Sequence, residues 1–298
     1  MIPVLKLLFP VTIMKVEKKW QEILSRLEEN TEKQLIYVIG GIDSGKTTLC
    51  RFLAERLSVK YKTAYINCDP GQSVIGPPAS LGMAVCHGKW GIQALRFIGS
   101  TSFRGHMLQI LCGSGRLRDK AVDWGARKII VDSSGFVYSP PGMAFQFETI
   151  DLLQPDVILG IEESSDLNGL IRNFRTKGRA YYSLPIHPNV IKRSPAERRA
   201  YRESKFREYF RNSRLMAISF RELGLHRVIP EKNENYLQGQ LIALSDHEHL
   251  VITLGILDRI DMDRTMVWFY APPFEKKSAV TLHFGALRLD LSGRHSSL

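Results

Sequence analysis

The chain has 298 residues, of which 44% are hydrophobic, so it can form one large domain or two modest ones around a substantial core. Its formal net charge of +11 favours a polyanionic partner, and the excess is concentrated in the Arg- and Lys-rich residues 172–214. No apolar run reaches the ~18 residues of a membrane-spanning helix, so we expect no membrane partner. The four cysteines form no CxxC pair, which argues against zinc, and free buried thiols predict a reducing, cytoplasmic location.

The N-terminal part of the chain predicts a helix, a strand, a glycine-rich loop and a second helix. Residues 15–30 have the pattern of an amphipathic helix, and residues 34–39 form an apolar, β-branched run typical of a buried strand. Residues 48–57 carry apolar side chains at helical spacing. Between the strand and this helix, residues 40–47 match the P-loop pattern GxxxxGK[ST].

The chemistry of a P-loop follows from its backbone. Glycines allow N–H groups to surround phosphate oxygens, and the following helix N-terminus adds partial positive charge. The loop therefore predicts a site for ATP or another nucleoside triphosphate, with Mg²⁺ or another divalent cation. We expect Lys46 to contact the β- and γ-phosphates and the Thr47 hydroxyl to bind the metal ion. The predicted nucleotide-binding residues here are Gly40, Gly41, Ile42, Asp43, Ser44, Gly45, Lys46, Thr47 and Thr48.

A first acidic candidate follows the second predicted strand, residues 62–67. Acids at the carboxyl ends of strands face the ligand crevice in α/β proteins of this kind. Asp69 can therefore hold Mg²⁺ or accept a proton from an attacking hydroxyl, and Gln72 can orient that hydroxyl or a water. The Asp-Pro-Gly run at residues 69–71 fits an ordinary turn as well, so both interpretations stay open.

A second acidic candidate ends a later strand. Further strands are predicted over 95–99, 128–132 and 156–160, and helices over 106–111 and 120–126. Asp132 closes the strand 128–132 in a Walker B-like pattern, and Ser134 and Gly135 follow it toward the nucleotide. A strand-terminating turn explains the same residues equally well.

A basic helix is predicted further along the chain. Ser194 and Glu197 form a capping box and Pro195 takes the first helical position, so the helix begins at Pro195. The arginines near its start are Arg193, Arg198 and Arg202. Converging on a transferring phosphoryl group, such an arginine is worth roughly 10³–10⁵ in rate. A solvated basic helix is the alternative interpretation.

Alternating strands and helices predict an α/β fold: a P-loop NTPase parallel sheet with helices on both faces. Short strand-like runs at 240–244, 250–256, 266–270 and 280–284 predict a small C-terminal antiparallel β domain. The predicted division is an N-terminal segment and helix over 1–33, a P-loop domain over 34–226 with a lid at about 190–212, and a β domain over 227–298.

The order and spacing of these motifs resemble those of the polynucleotide 5′-hydroxyl kinases, P-loop kinases related to the RNA kinase of tRNA splicing and pre-mRNA cleavage and to its archaeal and bacterial homologues. The resemblance covers roughly residues 34–215 and extends into the C-terminal β domain. Besides the P-loop, the matching segments are residues 69–72 as the DxGQ-type Walker B, residues 134–136 as the TxGW-type clasp, and the three arginines as the lid. Phe136 replaces the usual Trp, and Asn67 stands where many members have an acid.

The resemblance implies transfer of the γ-phosphate of ATP, or another NTP, to the 5′-hydroxyl end of RNA or DNA. It implies that Asp69 is the general base and, with Thr47, a metal ligand. The catalytic residues it implies are Lys46, Asp69, Arg193, Arg198 and Arg202. Gln72, Ser134 and Gly135 join the nucleotide-binding set, and the clasp would steady the P-loop lysine.

Other functions fit parts of the sequence. A nucleotide-dependent switch or GTPase fits the P-loop and residues 132–135, which mimic DxxG, but no NKxD-type guanine motif follows. A non-catalytic RNA-processing scaffold with bound ATP is a second alternative, although Lys46, Thr47 and Asp69 are present as activity requires. A small-molecule kinase would not need the basic segment 172–214.

Overall fold

The computed structural model describes residues 17–162, 167–175, 178–227, 237–275 and 278–298. The predicted segment up to residue 16 lies outside this part of the chain. The helices of the described part are α1 (Lys18–Glu29), α2 (Lys46–Ser58), α3 (Met107–Asp123), α4 (Pro140–Leu153), α5 (Asn168–Arg172) and α6 (Pro195–Phe210). None of them is long and apolar enough to cross a membrane.

The first sheet has seven strands in the described residues, in the order β4-β3-β2-β5-β1-β6-β7. They are β1 (Gln34–Gly40), β2 (Thr63–Asn67), β3 (Ser80–His87), β4 (Lys89–Phe97), β5 (Lys128–Asp132), β6 (Val157–Ile161) and β7 (Ala180–Leu184). Strands β2, β5, β1 and β6 are parallel, as predicted, and β7 adds a fifth parallel strand beside β6. The prediction missed β3, β7 and most of β4, and it missed the antiparallel pairing of β2, β3 and β4. Gly88, at φ 70°, closes the tight β3–β4 hairpin that makes this pairing possible.

Helices cover both faces of this sheet, which confirms the predicted α/β architecture. On one face, α1 and α2 pack through Trp20 and Leu53 against a core that also takes in α6 and the second sheet. On the other face, α3, α4 and α5 share a core with the sheet that includes Ile110 and Ile150. The strands are buried on both sides, which explains why their sequences are continuously apolar rather than alternating.

Helix α3 corrects the prediction of two separate helical segments, because one helix runs through both. Two glycines, Gly113 and Gly115, lie inside this helix, and their low helix propensity led to the prediction of two separate segments. A Cβ on Gly113 would lie 3.0 Å from the Leu81 side chain, and one on Gly115 would lie 3.2 Å from Leu152. The glycines therefore permit close packing on the sheet and on α4, and this gain outweighs their low helix propensity.

The second sheet is antiparallel apart from one short strand. In the described residues its strands are β8 (Arg214–Ser219), β9 (Gly224–His226), β10 (Gln240–Ser245), β11 (Val251–Asp261), β12 (Met266–Ala271), β13 (Thr281–Leu289) and β14 (His295–Ser297). The order is β14-β13-β10-β11-β12-β8, and β9 pairs in parallel with β13. Strands β8 and β9 precede residue 227, so this sheet begins earlier in the chain than the predicted C-terminal β domain.

Candidate active site

A large cleft of about 1260 Å³ lies beyond the carboxyl ends of the parallel strands. Its walls are the P-loop, the loop after β2, the loop between β4 and α3, the loop after β5 and the start of α6. This is the edge at which α/β sheets bind ligands. The cleft is large enough for a nucleotide together with part of a second substrate.

The P-loop connects β1 to α2 in the conformation that its glycines require. Gly45 has a φ of 91°, in the left-handed region, immediately before α2 begins at Lys46. The clasp segment after β5 packs on the loop so closely that a Cβ on Gly135 would lie 2.8 Å from Cα of Ile42. The predicted P-loop and clasp are therefore neighbours in space.

Lys46 is buried, and its ammonium group donates a hydrogen bond of 2.6 Å to the carbonyl of Gly41 within the same loop. Burial lowers the pKa of Lys46, and the negative charges of Asp132 and Asp69 oppose that change. The lysine is thus held against the P-loop backbone, within electrostatic reach of both carboxylates.

Asp132 is the carboxylate that contacts the P-loop threonine. Its Oδ2 accepts hydrogen bonds from the Thr47 hydroxyl at 2.7 Å and from the Tyr65 hydroxyl at 2.9 Å. The amide of Asn67 donates to the same oxygen at 3.3 Å, and Oδ1 has no hydrogen-bond partner among the described residues. Burial raises the pKa of Asp132, while Lys46 and these donors lower it. The Walker B-like pattern did single out Asp132, but the predicted metal ligands were Thr47 and Asp69.

Asp69 lies in the cleft wall, apart from the hydrogen bonds that join Thr47 to Asp132. Its Oδ1 accepts the backbone N–H groups of Gly71 at 2.8 Å and Gln72 at 3.0 Å, so the predicted turn forms around a carboxylate that also lines the cleft. Burial raises the pKa of Asp69, although those two N–H groups and the Lys46 charge lower it. A carboxylate with a raised pKa, whose second oxygen accepts no hydrogen bond from the described residues, suits proton transfer.

The arginine helix folds over the P-loop and is held there by Asp43. The capping box at Ser194 is confirmed, and α6 begins at Pro195 as predicted. Asp43 Oδ2 accepts the Arg193 backbone N–H at 2.9 Å and the Arg198 Nη2 at 2.8 Å. Burial raises the pKa of Asp43, but these hydrogen bonds and the two positive charges outweigh burial and leave the pKa lowered.

Two of the three predicted lid arginines line the cleft. Arg198 and Arg202 do so, and the charge of Arg202 acts on Asp69. The Arg193 guanidinium lies over the Tyr201 ring, 5.6 Å from its centre, and is not among the residues that line the cleft. The structure therefore brings the side chains of Arg198 and Arg202 to the other site residues. Arg193 contacts the site only through its backbone N–H, which donates to Asp43.

His295 is a site-supporting residue that the sequence did not reveal. It lies on β14, and its Nε2 accepts a hydrogen bond of 3.2 Å from Nε of Arg202, with its ring 5.7 Å from that of Phe206. Nearby, a Cβ on Gly293 would lie 2.2 Å from the Glu203 carbonyl, so the C-terminal turn packs directly on α6. A histidine close to the chain end has no motif around it that could have indicated this contact.

The other predicted nucleotide-binding residues occupy varied positions. Ile42 is 56% exposed at the tip of the P-loop, and Thr48 is exposed at the start of α2. Ser44 is buried, and its hydroxyl has no hydrogen-bond partner among the described residues. Gln72 lines the cleft, whereas Ser134 is buried beneath it and accepts from the Phe136 backbone N–H at 3.3 Å.

The sequence model of the family described as "mRNA cleavage and polyadenylation factor CLP1 P-loop" matches residues 40–212, more than half of the chain. The chain belongs to this family. The matched span runs from the P-loop to the end of α6, so it contains the site residues described above, and His295, which contacts Arg202, lies beyond it. Membership makes the P-loop domain a nucleotide-binding domain.

Relatives of known activity resemble the chain over different lengths. The polyribonucleotide 5′-hydroxyl-kinase of Methanocaldococcus jannaschii is 27% identical over 93% of this chain and 93% of its own length. That of Pyrococcus furiosus is 31% identical over 62% of this chain and 52% of its own. Among solved structures, the wild-type Clp1p–Pcf11p complex aligns with a TM-score of 0.70 and 16% identity over 91% of this chain and 79% of that one. That likeness supports the same fold.

Proposed function

We propose that this protein is a polynucleotide 5′-hydroxyl kinase, which transfers the γ-phosphate of ATP or another NTP to the 5′-hydroxyl end of RNA or DNA. The observation that carries the proposal is one cleft lined by Asp69, a carboxylate of raised pKa, and by two arginines of a lid helix, with the buried P-loop Lys46 close enough for its charge to act on Asp69. The names of the archaeal relatives support the choice of acceptor. The net charge of +11 suits a nucleic acid.

Three buried polar atoms that lack partners fit a bound nucleotide and its metal ion. Among the described residues these are the Ser44 hydroxyl, Oδ1 of Asp132 and Nε of Arg198. A buried polar group without a partner is costly, so each of these atoms is expected to find one when the cleft is filled. The donors suit phosphate oxygens and the carboxylate oxygen suits Mg²⁺.

We assign the metal ion to Thr47, through its hydroxyl, and to Asp132, which already holds that hydroxyl. The earlier pair of Thr47 with Asp69 remains the alternative. Held by Thr47 and Asp132, Mg²⁺ would supply positive charge that neutralises part of the negative charge of the phosphates. The loop N–H groups and Lys46 would hold the phosphates.

Asp69 is assigned as the general base. Asp69 lines the cleft, its Oδ1 is fixed by two backbone N–H groups, and its Oδ2 has no hydrogen bond from the described residues, so it can accept the proton of a 5′-hydroxyl in a defined orientation. Arg198 and Arg202 then face the oxygens on which negative charge develops. We keep Arg193 as a lid residue that acts through its backbone contact with Asp43.

The test is transfer of labelled γ-phosphate from ATP to oligonucleotides with 5′-hydroxyl ends, RNA and DNA in parallel. Lys46→Ala is the inactive variant, and Arg264→Ala, at a hairpin arginine whose side chain is 80% exposed, is the matched neutral one. Label on the 5′ end that disappears only with Lys46→Ala is the expected result. A wild-type protein that hydrolyses or merely binds NTP, with no labelled end, would overturn the proposal in favour of the switch or scaffold.

The remaining assignments are proposals of the same kind. We propose a nucleotide-binding kinase domain that ends near residue 212, where the family match ends, followed by a β domain that starts with β8. We also propose a cytoplasmic location. It is supported by Cys50, Cys68 and Cys86, which are buried free thiols, although Cys112 is exposed.

A further inference from the structure

Outside the cleft, six histidines and arginines come together where the two sheets meet. We call them the His–Arg cluster: Arg96 on β4, His106 before α3, His226 at the end of β9 with Arg227 after it, His249 before β11, and His283 on β13. They come from five separate segments of the chain. Their proximity is therefore a property of the fold, and no sequence motif contains it.

The members of the cluster contact one another directly. His283 Nδ1 lies 3.0 Å from His226 Nδ1, and Nε2 of His283 lies 2.7 Å from the Ser245 hydroxyl. Arg227 Nη2 lies 3.3 Å from His106 Nδ1. Arg96 donates from Nη1 to the carbonyl of His249. His226 and His249 are exposed, so the cluster opens to solvent.

The positive charge of the cluster lacks a matching carboxylate among the described residues. Neither Arg96 nor Arg227 forms an ion pair there, and burial lowers the pKa of Arg227 with no acid to oppose it. Asp246 acts on Arg96 from a distance, but its Oδ1 is occupied by the backbone N–H groups of Glu248 and Leu250. Burial and the neighbouring positive charges lower the pKa of His283 to about 3. His106, His226 and His283 are therefore neutral at pH 7, and the charge that an anion would match is that of Arg96 and Arg227.

The cluster continues the acceptor side of the cleft. Gly105 and Met107, on either side of His106, both line the cleft. The same loop reaches the Asp69 turn, because a Cβ on Gly71 would lie 2.7 Å from the Thr101 carbonyl. A chain whose first nucleotide lies at Asp69 can therefore pass along this loop to the cluster.

We propose that the His–Arg cluster binds backbone phosphates of the acceptor polynucleotide, downstream of the nucleotide that carries the 5′-hydroxyl. This inference rests on the proposed function and adds a second contact region to it. Guanidinium and imidazole N–H groups are donors for phosphate oxygens, and such contacts give affinity and register without reading sequence. The second sheet then forms part of the acceptor site.

The test compares a 5′-hydroxyl dinucleotide with a long oligonucleotide of the same 5′ sequence. Arg227→Gln and Arg96→Gln change two different elements, so a folding defect in one leaves the other informative, and Arg264→Gln is the exposed control. We expect KM for the long acceptor to rise about tenfold in each cluster variant, as for the loss of one charge-assisted hydrogen bond, with kcat and the dinucleotide KM unchanged. The dependence of log KM on log salt should fall by about 0.7 for each lost phosphate contact.

Binding of the same oligonucleotides, measured by fluorescence anisotropy, tests the role of the cluster separately from the proposed kinase function. If no acceptor is phosphorylated but the cluster variants bind the long strand more weakly, the proposed function fails and the polynucleotide surface stands. If the long-to-short KM ratio and the binding constant match those of Arg264→Gln, the cluster does not bind the acceptor and the inference is overturned. The inference would also be overturned if the cluster variants bound an acidic peptide more weakly while their oligonucleotide binding stayed unchanged. That result would indicate a protein partner.

Discussion

Removal of the Arg198 guanidinium tests the lid most directly. In the structure Arg198 uses Nη2 to hold Asp43, while its buried Nε has no partner among the described residues. The side chain is only 23% exposed, so the guanidinium is already largely desolvated and directed at the P-loop. Arg198→Ala therefore removes a prepositioned cation from the cleft and leaves the loop backbone intact.

The size of the effect follows from the donors that Arg198 can offer to a transferring phosphoryl group. A hydrogen bond from a charged donor is worth about 1.5–3 kcal/mol, and two such donors together give about 3–6 kcal/mol. Since each 1.36 kcal/mol is a factor of ten in rate, we expect kcat to fall by about 10²–10⁴. A partly exposed ion pair contributes about 1 kcal/mol or less, so loss of the contact with Asp43 should change stability little.

The assay is single-turnover transfer at saturating NTP, with nucleotide affinity measured separately by equilibrium binding. Arg211→Ala is the control on the same helix, because Arg211 is an exposed arginine at the C-terminal end of α6, at the opposite end from Arg198. The control should keep the wild-type rate. An Arg198→Ala rate within a few-fold of that control would refute the reasoning and make Arg198 a structural contact of the lid.

Three further predictions follow from contacts at and away from the cleft. Asp69→Asn should lower kcat by about 10²–10⁴ in the transfer assay with unchanged thermal stability, because an amide oxygen still accepts the two backbone N–H groups but cannot take a proton. His295→Ala should lower kcat about fivefold with NTP binding unchanged, because Arg202 loses its hydrogen-bond acceptor. His295→Gln should restore kcat, because the amide oxygen of the glutamine can accept the same hydrogen bond. Equal rates for the two variants would contradict this role. Lys128→Met should reduce the free energy of unfolding in urea by about 2 kcal/mol, because the buried Lys128 ammonium donates to three oxygens at the edge opposite the cleft; an unchanged urea midpoint would disprove it.

Local signals in the sequence predicted the parts of the site that are local in the chain. The P-loop, the capping box and the strand that ends at Asp132 each depend on neighbouring residues, and each lies within a residue or two of its predicted place. The carboxyl ends of parallel strands share one edge of the sheet, so the convergence of Asp69 and Asp132 also followed from topology. Topology did not predict which of the two aspartates is the metal ligand and which is the general base, because that depends on which carboxylate contacts Thr47.

Contacts between distant segments were beyond the sequence patterns. The continuity of α3 could not be predicted, because its two glycines are explained only by their close packing on Leu81 and Leu152. Strand β8 follows directly after α6, and only its pairing with β12 shows that it belongs to the second sheet. The hydrogen bond between Arg202 and His295 joins residues that are 93 positions apart.

The two lid arginines are held from opposite sides, and this arrangement explains why the second sheet matters for the cleft. Asp43 of the P-loop orients Arg198, while His295 of β14 orients Arg202. A guanidinium on a free helix would have to be ordered during the reaction, whereas these two are ordered beforehand, so less reorganisation is needed when charge develops. The two anchors also differ in kind. Asp43 competes for Arg198 with any anion that enters the cleft, because both attract the same cation. A neutral histidine carries no negative charge, so His295 orients Arg202 without offsetting the positive charge of its guanidinium. We therefore expect Arg198 to be the arginine whose contacts change when nucleotide binds, with Arg202 remaining in place beside Asp69.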